Sequence, residues 1–128
     1  MNTNDLIGLK YGWNKSPADG SGMTDCFQLV CEIRRRFDLP SYTATFAWAY
    51  DTYTEDTLPR SRIARWLLKH GKRITEPCAG AVALFPGEVG SALGTAMGDS
   101  TVVYISSAGS VVRVPISPTV GHYFWMER

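Results

Sequence analysis

The sequence predicts an α+β fold in which N-terminal helices pack on one side of a small curled antiparallel sheet of about five strands. The first half of the chain carries amphipathic patterns of helical period. After Pro77 the pattern changes, and short apolar runs alternate with Gly, Ser, Asp and Pro, which is typical of consecutive short strands. We therefore expect a single domain over residues 1–128, with a helical part at 1–76 and an antiparallel sheet at 77–128.

Composition limits the possible function classes. The chain has 128 residues, 45% of them hydrophobic, which is enough for one domain with a real core. A net charge of +1 gives no reason to expect nucleic acid or an anionic membrane as the main partner. No run approaches the roughly 18 apolar residues of a membrane span, and the first residues lack the pattern of a signal peptide. We expect a protein made in the cytoplasm, with no membrane insertion.

The first helix is predicted over residues 25–38, after an extended, turn-rich lead-in at 1–24. Thr24 is a good N-cap, and Asp25 suits the positive end of the helix dipole. Pro40 ends the helix. The buried stripe of this helix is expected to consist of Leu29, Val30, Ile33 and Phe37.

A second helix is predicted over residues 59–70. Pro59 suits its first turn, and Gly71 closes it. Its apolar face would comprise Ile63, Trp66 and Leu67. The segment between the two helices, residues 41–56, is rich in aromatic side chains and allows a short helix.

Five strands are predicted in the second half of the chain. Two short segments, Gly98-Asp99-Ser100 and Ala108-Gly109, have the composition of hairpin turns. The predicted strands cover residues 81–85, 92–97, 101–106, 111–116 and 123–126.

Cys26 would lie in the first turn of the first helix, where unpaired backbone N–H groups lower the pKa of a thiol from its usual value of about 8.5. A thiolate nucleophile is therefore one interpretation of Cys26, and a small packing residue is the other. Cys31 is five residues further along the same helix, and Cys78 follows a proline in a loop, so we expect thiols and no disulfide. No cysteine or histidine spacing suits a metal, and we expect neither metal nor cofactor.

The residues at the joints between the predicted elements resemble those of a known family. Tyr11-Gly12-Trp13 forms an aromatic lead-in, and Asp25-Cys26-Phe27-Gln28-Leu29-Val30 begins the helix. Residues 80–85 and 92–100 follow as two strands with a turn. This order resembles the NlpC-type cell-wall peptidases, which are papain-like cysteine hydrolases. The resemblance implies a papain-like fold, with Cys26 as the nucleophile of a peptidase that acts on peptidoglycan stem peptides.

The chain departs from this family at the other catalytic positions. The position of the family's base histidine falls on Ala92, and that of its orienting residue falls on Tyr104. Neither side chain replaces an imidazole, and each general acid–base role is worth roughly 10²–10⁴-fold in rate. His122 is the candidate for a displaced base, whereas His70 at the end of a helix is expected to be a cap or solvated.

Three further features have more than one interpretation. Arg34-Arg35-Arg36 predicts a solvated helix face, with a polar contact to a partner subunit as the alternative. Aromatic residues between positions 46 and 53 favour core or interface packing over a glycan-stacking platform. The apolar segment at 123–126 suggests burial against a neighbour. The aromatic residues in question are Phe46, Trp48, Tyr50 and Tyr53.

A domain of this kind without an export signal resembles those of bacteriophage tails and gene-transfer particles. The resemblance implies a structural component of a phage tail tip or baseplate hub that has lost catalysis because Ala92 and Tyr104 replace the base and its orienter. An active peptidoglycan endopeptidase with Cys26 and a displaced base, and a glycan-binding module, are the alternatives. The expected partners are other tail or baseplate proteins, with peptidoglycan as a further candidate and no nucleic acid. The expected location is the virion tail, after assembly in the host cytoplasm.

Overall fold

The computed structural model describes residues 3–40, 50–53, 71–87, 90–106, 108–116 and 123–127, together with Arg65 and Lys69. Over these residues the protein has an α+β fold, with one eleven-residue helix, a six-stranded antiparallel sheet and a short parallel strand pair. The helix is α1 (Cys26–Arg36). The strands are β1 (Lys10–Tyr11), β2 (Met23–Thr24), β3 (Gly71–Ile74), β4 (Val82–Gly87), β5 (Gly90–Ala96), β6 (Thr101–Ile105), β7 (Val111–Pro115) and β8 (Tyr123–Glu127).

The large sheet has the strand order β3-β8-β4-β5-β6-β7. Strands β4 to β7 follow one another as antiparallel neighbours, and β8 returns to lie between β3 and β4. The turn at residues 98–100 joins β5 to β6, and residues 108–109 lie in the connection from β6 to β7. All five strands predicted from the sequence are present.

The sixth strand, β3, is a difference from the prediction. Gly71 begins this strand and pairs with Glu127, whereas the sequence assigned Gly71 to the end of a helix. The strand has only four residues, Gly-Lys-Arg-Ile, and lacks a pattern that marks it locally. Hydrogen bonding to β8 holds these residues in a strand. The sheet therefore begins before the expected boundary at residue 77.

The start of α1 also differs from the prediction, because Asp25 and not Thr24 is the N-cap. Asp25 is extended, and its Oδ1 accepts a hydrogen bond of 2.8 Å from the backbone N–H of Gln28. Thr24 belongs to β2, where it is the partner of Tyr11, and its hydroxyl donates to the carbonyl of Asp25. The backbone pairing of the lead-in therefore holds Thr24, and Cys26 becomes the first residue of the helix.

The end of α1 is a Schellman motif. The N–H of Leu39 donates to the carbonyl of Arg34 at 2.9 Å, and the N–H of Asp38 donates to that of Arg35 at 3.0 Å. Asp38 takes the left-handed conformation that this motif requires, with φ of 58°. Leu39 then packs against Gly80, where an added Cβ would overlap Leu39 Cδ1.

The sheet is buried on both faces, as two clusters of apolar side chains show. The first cluster joins α1 and the lead-in to the sheet and comprises Leu6, Leu29, Ile33, Met97, Val103 and Val111. The second cluster comprises Ala81, Ala83, Ala96 and Val102, with Tyr104 packed against it. Residues alternate between the two clusters along β6, as expected for a strand. The predicted stripe of α1 is confirmed, since Leu29, Val30 and Ile33 are fully buried and Phe37 packs against the first cluster.

The arginine triplet of α1 does not share one environment, and the prediction of a solvated face is wrong for Arg34. This side chain is fully buried. Its Nε donates to the carbonyl of Pro40 at 3.0 Å, and its Nη1 donates to that of Gly80 at 2.5 Å. Arg35 and Arg36 both bind the carboxylate of Glu32.

The lead-in runs along β7 and closes that side of the sheet. The N–H of Gly8 donates to the carbonyl of Val111, and the N–H of Val111 donates to the carbonyl of Leu9, both at 2.9 Å. The carboxylate of Asp5 then binds Arg36 through two hydrogen bonds of 2.8 and 2.6 Å. The lead-in is therefore fixed to both the sheet and α1.

Of the predicted second helix, Arg65 and Lys69 are described, and both are helical and exposed. Residues 41–49 and the rest of residues 54–70, including Phe46, Trp48 and His70, lie outside the described residues, as does His122. The side chains of the predicted apolar C-terminal segment are not described either. No helix within the described part of the chain is long and apolar enough to cross a membrane.

Candidate functional site

The N-terminus of α1 brings together residues from three parts of the chain. Asp25 is 1% exposed, and both of its carboxylate oxygens accept hydrogen bonds. Oδ1 accepts from the N–H of Gln28. Oδ2 accepts from the N–H of Asn14 at 2.7 Å and from the hydroxyl of Tyr50 at 2.6 Å. One buried carboxylate thus connects the lead-in, the helix and the segment that contains residues 50–53.

The ring of Tyr50 is held by two other aromatic side chains. Trp13 of the lead-in packs against it with the ring centroids 5.1 Å apart and an interplanar angle of 60°. Phe27 of α1 meets it edge-on, with the centroids 6.3 Å apart and an angle of 88°. These are favourable aromatic geometries, and each such pair is worth about 0.5–1.5 kcal/mol beyond its buried area. Tyr50 is therefore oriented by its ring as well as by its hydroxyl.

Cys26 is the first residue of α1 and is partly exposed. A negative charge on Cys26 acts to raise the pKa of Tyr50, and the side chain of Gln28 acts to lower it. Asp25, Cys26, Gln28 and Tyr50 therefore form one group around the helix N-terminus, which we call the Asp25 cluster.

The electrostatics of the Asp25 cluster are dominated by burial. Burial raises the pKa of Asp25 above its ordinary value, while hydrogen bonds from Gln28, Tyr50 and Asn14 act in the opposite direction. Burial, followed by the charge of Asp25, raises the pKa of Tyr50 well above its ordinary range. The Tyr50 hydroxyl therefore stays protonated at neutral pH and acts as a donor. Oδ1 of Asp25 accepts from the helix N-terminus and Oδ2 from Asn14 and Tyr50, so the described partners of this carboxylate are structural.

The two positions that match the missing catalytic residues lie on neighbouring strands. Ala92 is in β5, opposite Phe85 of β4, and Gly94, two residues later, pairs with Tyr104 of β6. Tyr104 packs against the second apolar cluster, whereas α1 contributes Leu29 and Ile33 to the first. The described contacts thus join Tyr50 to Asp25, the residue before Cys26, and place Tyr104 in a different cluster.

The sequence did not predict the role of Tyr50. It lies 25 positions from Asp25, and the pattern around it indicated only aromatic packing. Asn14 was missed for a similar reason, because its contribution is a backbone N–H presented by a residue in the left-handed conformation, with φ of 58°. The one signal in the sequence for this cluster was the Asp-Cys pair, because an acidic residue at the start of a helix accepts a hydrogen bond from a backbone N–H.

The three cysteines are thiols, with Cys26 partly exposed, Cys31 buried and Cys78 exposed. Within the described ranges, no group of three or more His, Cys, Asp or Glu side chains is arranged to hold a metal ion. What the Asp25 cluster offers chemically is a thiol at a helix N-terminus beside a protonated phenol.

Comparisons with known proteins found no matching family model, no similar curated protein and no similar solved structure. The fold and the geometry of the Asp25 cluster, together with the sequence resemblance, are therefore the basis for a functional proposal.

Proposed function

We propose that this chain is a catalytically inactive NlpC-like domain that serves as a structural component of a phage tail tip or baseplate hub. The observation that supports a loss of catalysis is the hydrogen bond between Tyr50 and Asp25, the residue before Cys26. A cysteine peptidase needs a group that accepts the thiol proton and later protonates the leaving amine. Here the carboxylate of Asp25 caps the helix, and the hydroxyl of Tyr50 donates a hydrogen bond to that carboxylate.

One feature of the fold supports an ancestry shared with papain-like peptidases. The chain places a cysteine at the first residue of a helix that packs on an antiparallel sheet, as that resemblance implies. The position of the family's base carries Ala92, which has no proton acceptor. The thiol is thus retained in its expected setting, while its catalytic partner is replaced.

The Asp25 cluster has a stabilising function within this domain, which is compatible with a structural role. Asp25 connects three segments of the chain through Asn14, Gln28 and Tyr50, and these contacts rigidify the end of the helix. The assignment to a tail tip or baseplate rests on the sequence resemblance. Its partners would be other tail proteins, and mass spectrometry of purified particles should find this chain as a component present at fixed stoichiometry.

Incubation with purified peptidoglycan tests the loss of catalysis. We expect no release of stem peptides above the level seen with a Cys26→Ala variant. The exposed thiol of Cys78 provides a matched control, because Cys78→Ala removes a cysteine away from the helix N-terminus. Release that disappears in Cys26→Ala and persists in Cys78→Ala would overturn the proposal and favour an active endopeptidase, with His122→Ala as the next variant to assay.

The glycan-binding alternative has less support. Tyr50, one of the aromatic residues on which it depends, packs with Trp13 and Phe27 and bonds to Asp25. A side chain held in this way stabilises the fold, and only part of its surface is left for a sugar. Titration with wall fragments tests this alternative. Fragments that bind the wild-type protein and do not bind Trp48→Ala would restore it.

A further inference from the structure

Strand β7 is the last strand at one side of the large sheet, within the part of the chain that the structure describes. At the two ends of its pairing with β6, the N–H of Ser106 donates to the carbonyl of Ser110, and the N–H of Ile116 donates to that of Ser100. Residues of an antiparallel pair alternate between bonding to each other and pointing away. The residues of β7 whose backbone groups point away from β6 are therefore Val111, Arg113 and Pro115.

The lead-in covers the first part of this outer edge. Residues 8 and 9 bond to both backbone groups of Val111, and the N–H of Tyr11 donates to the carbonyl of Gly109 at 2.9 Å. The backbone groups of Arg113 continue the same edge, and no described residue pairs with them. The chain turns at residues 3–7 and stays beside this position, where Thr3 Oγ1 accepts a hydrogen bond of 3.1 Å from Arg113 Nη1.

Leu6 is the apolar anchor of the covering segment, residues 3–11. Its side chain is 1% exposed and belongs to the first apolar cluster, whereas the neighbouring Ile7 is 41% exposed. The ion pair between Asp5 and Arg36 is a weaker attachment, because the Asp5 side chain is 64% exposed and an exposed pair is screened by water and salt. Loss of the Leu6 anchor should therefore release the segment from β7.

We propose that residues 3–11 cover the edge of β7 against antiparallel pairing with β7 of a second copy of this chain. An uncovered edge strand presents unpaired N–H and C=O groups to other chains, and proteins commonly block such an edge with a loop or another element. This inference concerns an edge separate from the Asp25 cluster and does not depend on the proposed loss of catalysis.

The register of β7 favours a second copy as the occupant of the uncovered edge. A two-fold axis at Val112 places Val111 of each copy opposite Arg113 of the other. Both backbone groups of Val111 and of Arg113 then find partners, which gives four hydrogen bonds between the copies.

A two-fold axis at Arg113 is less favourable. It sets two guanidinium-bearing side chains opposite each other, and like charges directly opposite destabilise a strand pair. It also pairs Val111 with Pro115, which has no N–H to donate to the Val111 carbonyl. With the axis at Val112, each Arg113 keeps its ion pair with Asp99 of its own chain and faces an apolar residue.

The first test measures self-association by size-exclusion chromatography with light scattering over a range of protein concentrations. We expect wild type to be a monomer. Leu6→Asp places a charge in the first apolar cluster, so it should release the segment and double the measured mass. Ile7→Asp adds the same charge at the exposed neighbouring position and should remain a monomer.

Circular dichroism checks that each variant is folded. If Leu6→Asp is unfolded, Gly8→Pro takes its place. Gly8 has φ of 91°, which proline cannot adopt, and its N–H is the donor to the Val111 carbonyl.

The second test uses cross-linking to identify the register. An axis at Val112 brings the two Cα atoms of this residue within about 4.5 Å, which is in the range of a disulfide. Val112→Cys in the Leu6→Asp background should therefore give a disulfide-linked dimer on a non-reducing gel. Val114→Cys, which would face Ser110 of the other copy, should not. Leu6→Asp alone gives the background from the native thiols.

Three outcomes would overturn the proposal. Folded Leu6→Asp and Gly8→Pro variants that both stay monomeric would show that the released edge does not pair. Equal association of wild type or of Ile7→Asp would show that the segment does not cover the contact. Dimers that Val112→Cys fails to link would place the contact on another surface.

Discussion

The hydroxyl of Tyr50 donates a 2.6 Å hydrogen bond to Oδ2 of Asp25, the residue that caps the helix beginning with Cys26. The contact joins positions 25 residues apart. Asp25 is buried, with 1% of its surface exposed. It connects the packing of an aromatic ring to the geometry of a helix terminus. The stability of this part of the protein should therefore depend on the two residues jointly.

A double-mutant cycle tests this coupling. Tyr50→Phe keeps the ring and its contacts with Trp13 and Phe27 but removes the hydrogen bond to a charged acceptor, at an expected cost of about 1.5–3 kcal/mol. Asp25→Asn keeps a competent N-cap side chain. Urea denaturation at pH 7 of both single variants and the double variant should give clearly non-additive losses. Additive losses would show that the two side chains do not interact.

The pH dependence of stability should report the burial of Asp25. An unfolded Asp has a pKa of about 3.9. Burial raises the pKa of Asp25 in the folded state. Between these two pKa values the folded protein holds a proton that the unfolded chain has lost, so the free energy of unfolding falls as pH rises. Urea denaturation at a series of pH values gives the free energy of unfolding of wild type and of Asp25→Asn. The wild-type value minus the variant value should decline from about pH 4 upward and then level off. A difference that grows with pH would contradict this assignment.

Glu32 should show the opposite pH dependence. Hydrogen bonds from Arg35 are the largest effect and lower the pKa of Glu32 below its ordinary value; burial opposes them, and hydrogen bonds from Arg36 add to the lowering. Its stabilising contribution is then present above the unfolded pKa of about 4.3 and is lost as pH falls through the lowered folded value. The free energy of unfolding of Glu32→Gln should therefore be closest to that of wild type in strong acid and should be lower than that of wild type near neutral pH. Equal stability of the two proteins near pH 7 would exclude this role for the Glu32 carboxylate.

Two adjacent arginines should differ sharply in their importance. Arg34→Ala removes a fully buried guanidinium and leaves the carbonyls of Pro40 and Gly80 without these donors. Because the Gly80 carbonyl is buried and the loss of a donor to a buried acceptor is costly, and because the packing of the buried Arg34 side chain is also lost, we expect a loss above about 3 kcal/mol. Arg35, whose side chain is 67% exposed, provides the matched control, and Arg35→Ala should cost below about 1 kcal/mol. Similar losses for both variants in urea denaturation would contradict the buried role of Arg34.

The sequence alone was sufficient to predict the α+β class, the first helix and five of the six strands of the large sheet. Residues 29, 30 and 33 recur at helical spacing, and this local period correctly identified the buried side of α1. The short apolar runs after residue 77 correctly identified five strands, since alternation and turn residues are properties of neighbouring positions. The position of Cys26 in the first helical turn is local in the same way, and it too was predicted.

Only the tertiary structure decided which side chains take part in long-range contacts. Arg34 looks like its two neighbours in the sequence, yet the carbonyl of Gly80, 46 positions away, is the acceptor that permits its burial. The cap moved from Thr24 to Asp25 because pairing between β1 and β2 holds Thr24 in a strand. Tyr50 reaches Asp25 through ring contacts that no local pattern encodes. The physical reason is common to all three cases: a local period determines which face of an element is apolar, whereas a buried polar group is satisfied by whichever partner the folded chain brings within hydrogen-bonding distance.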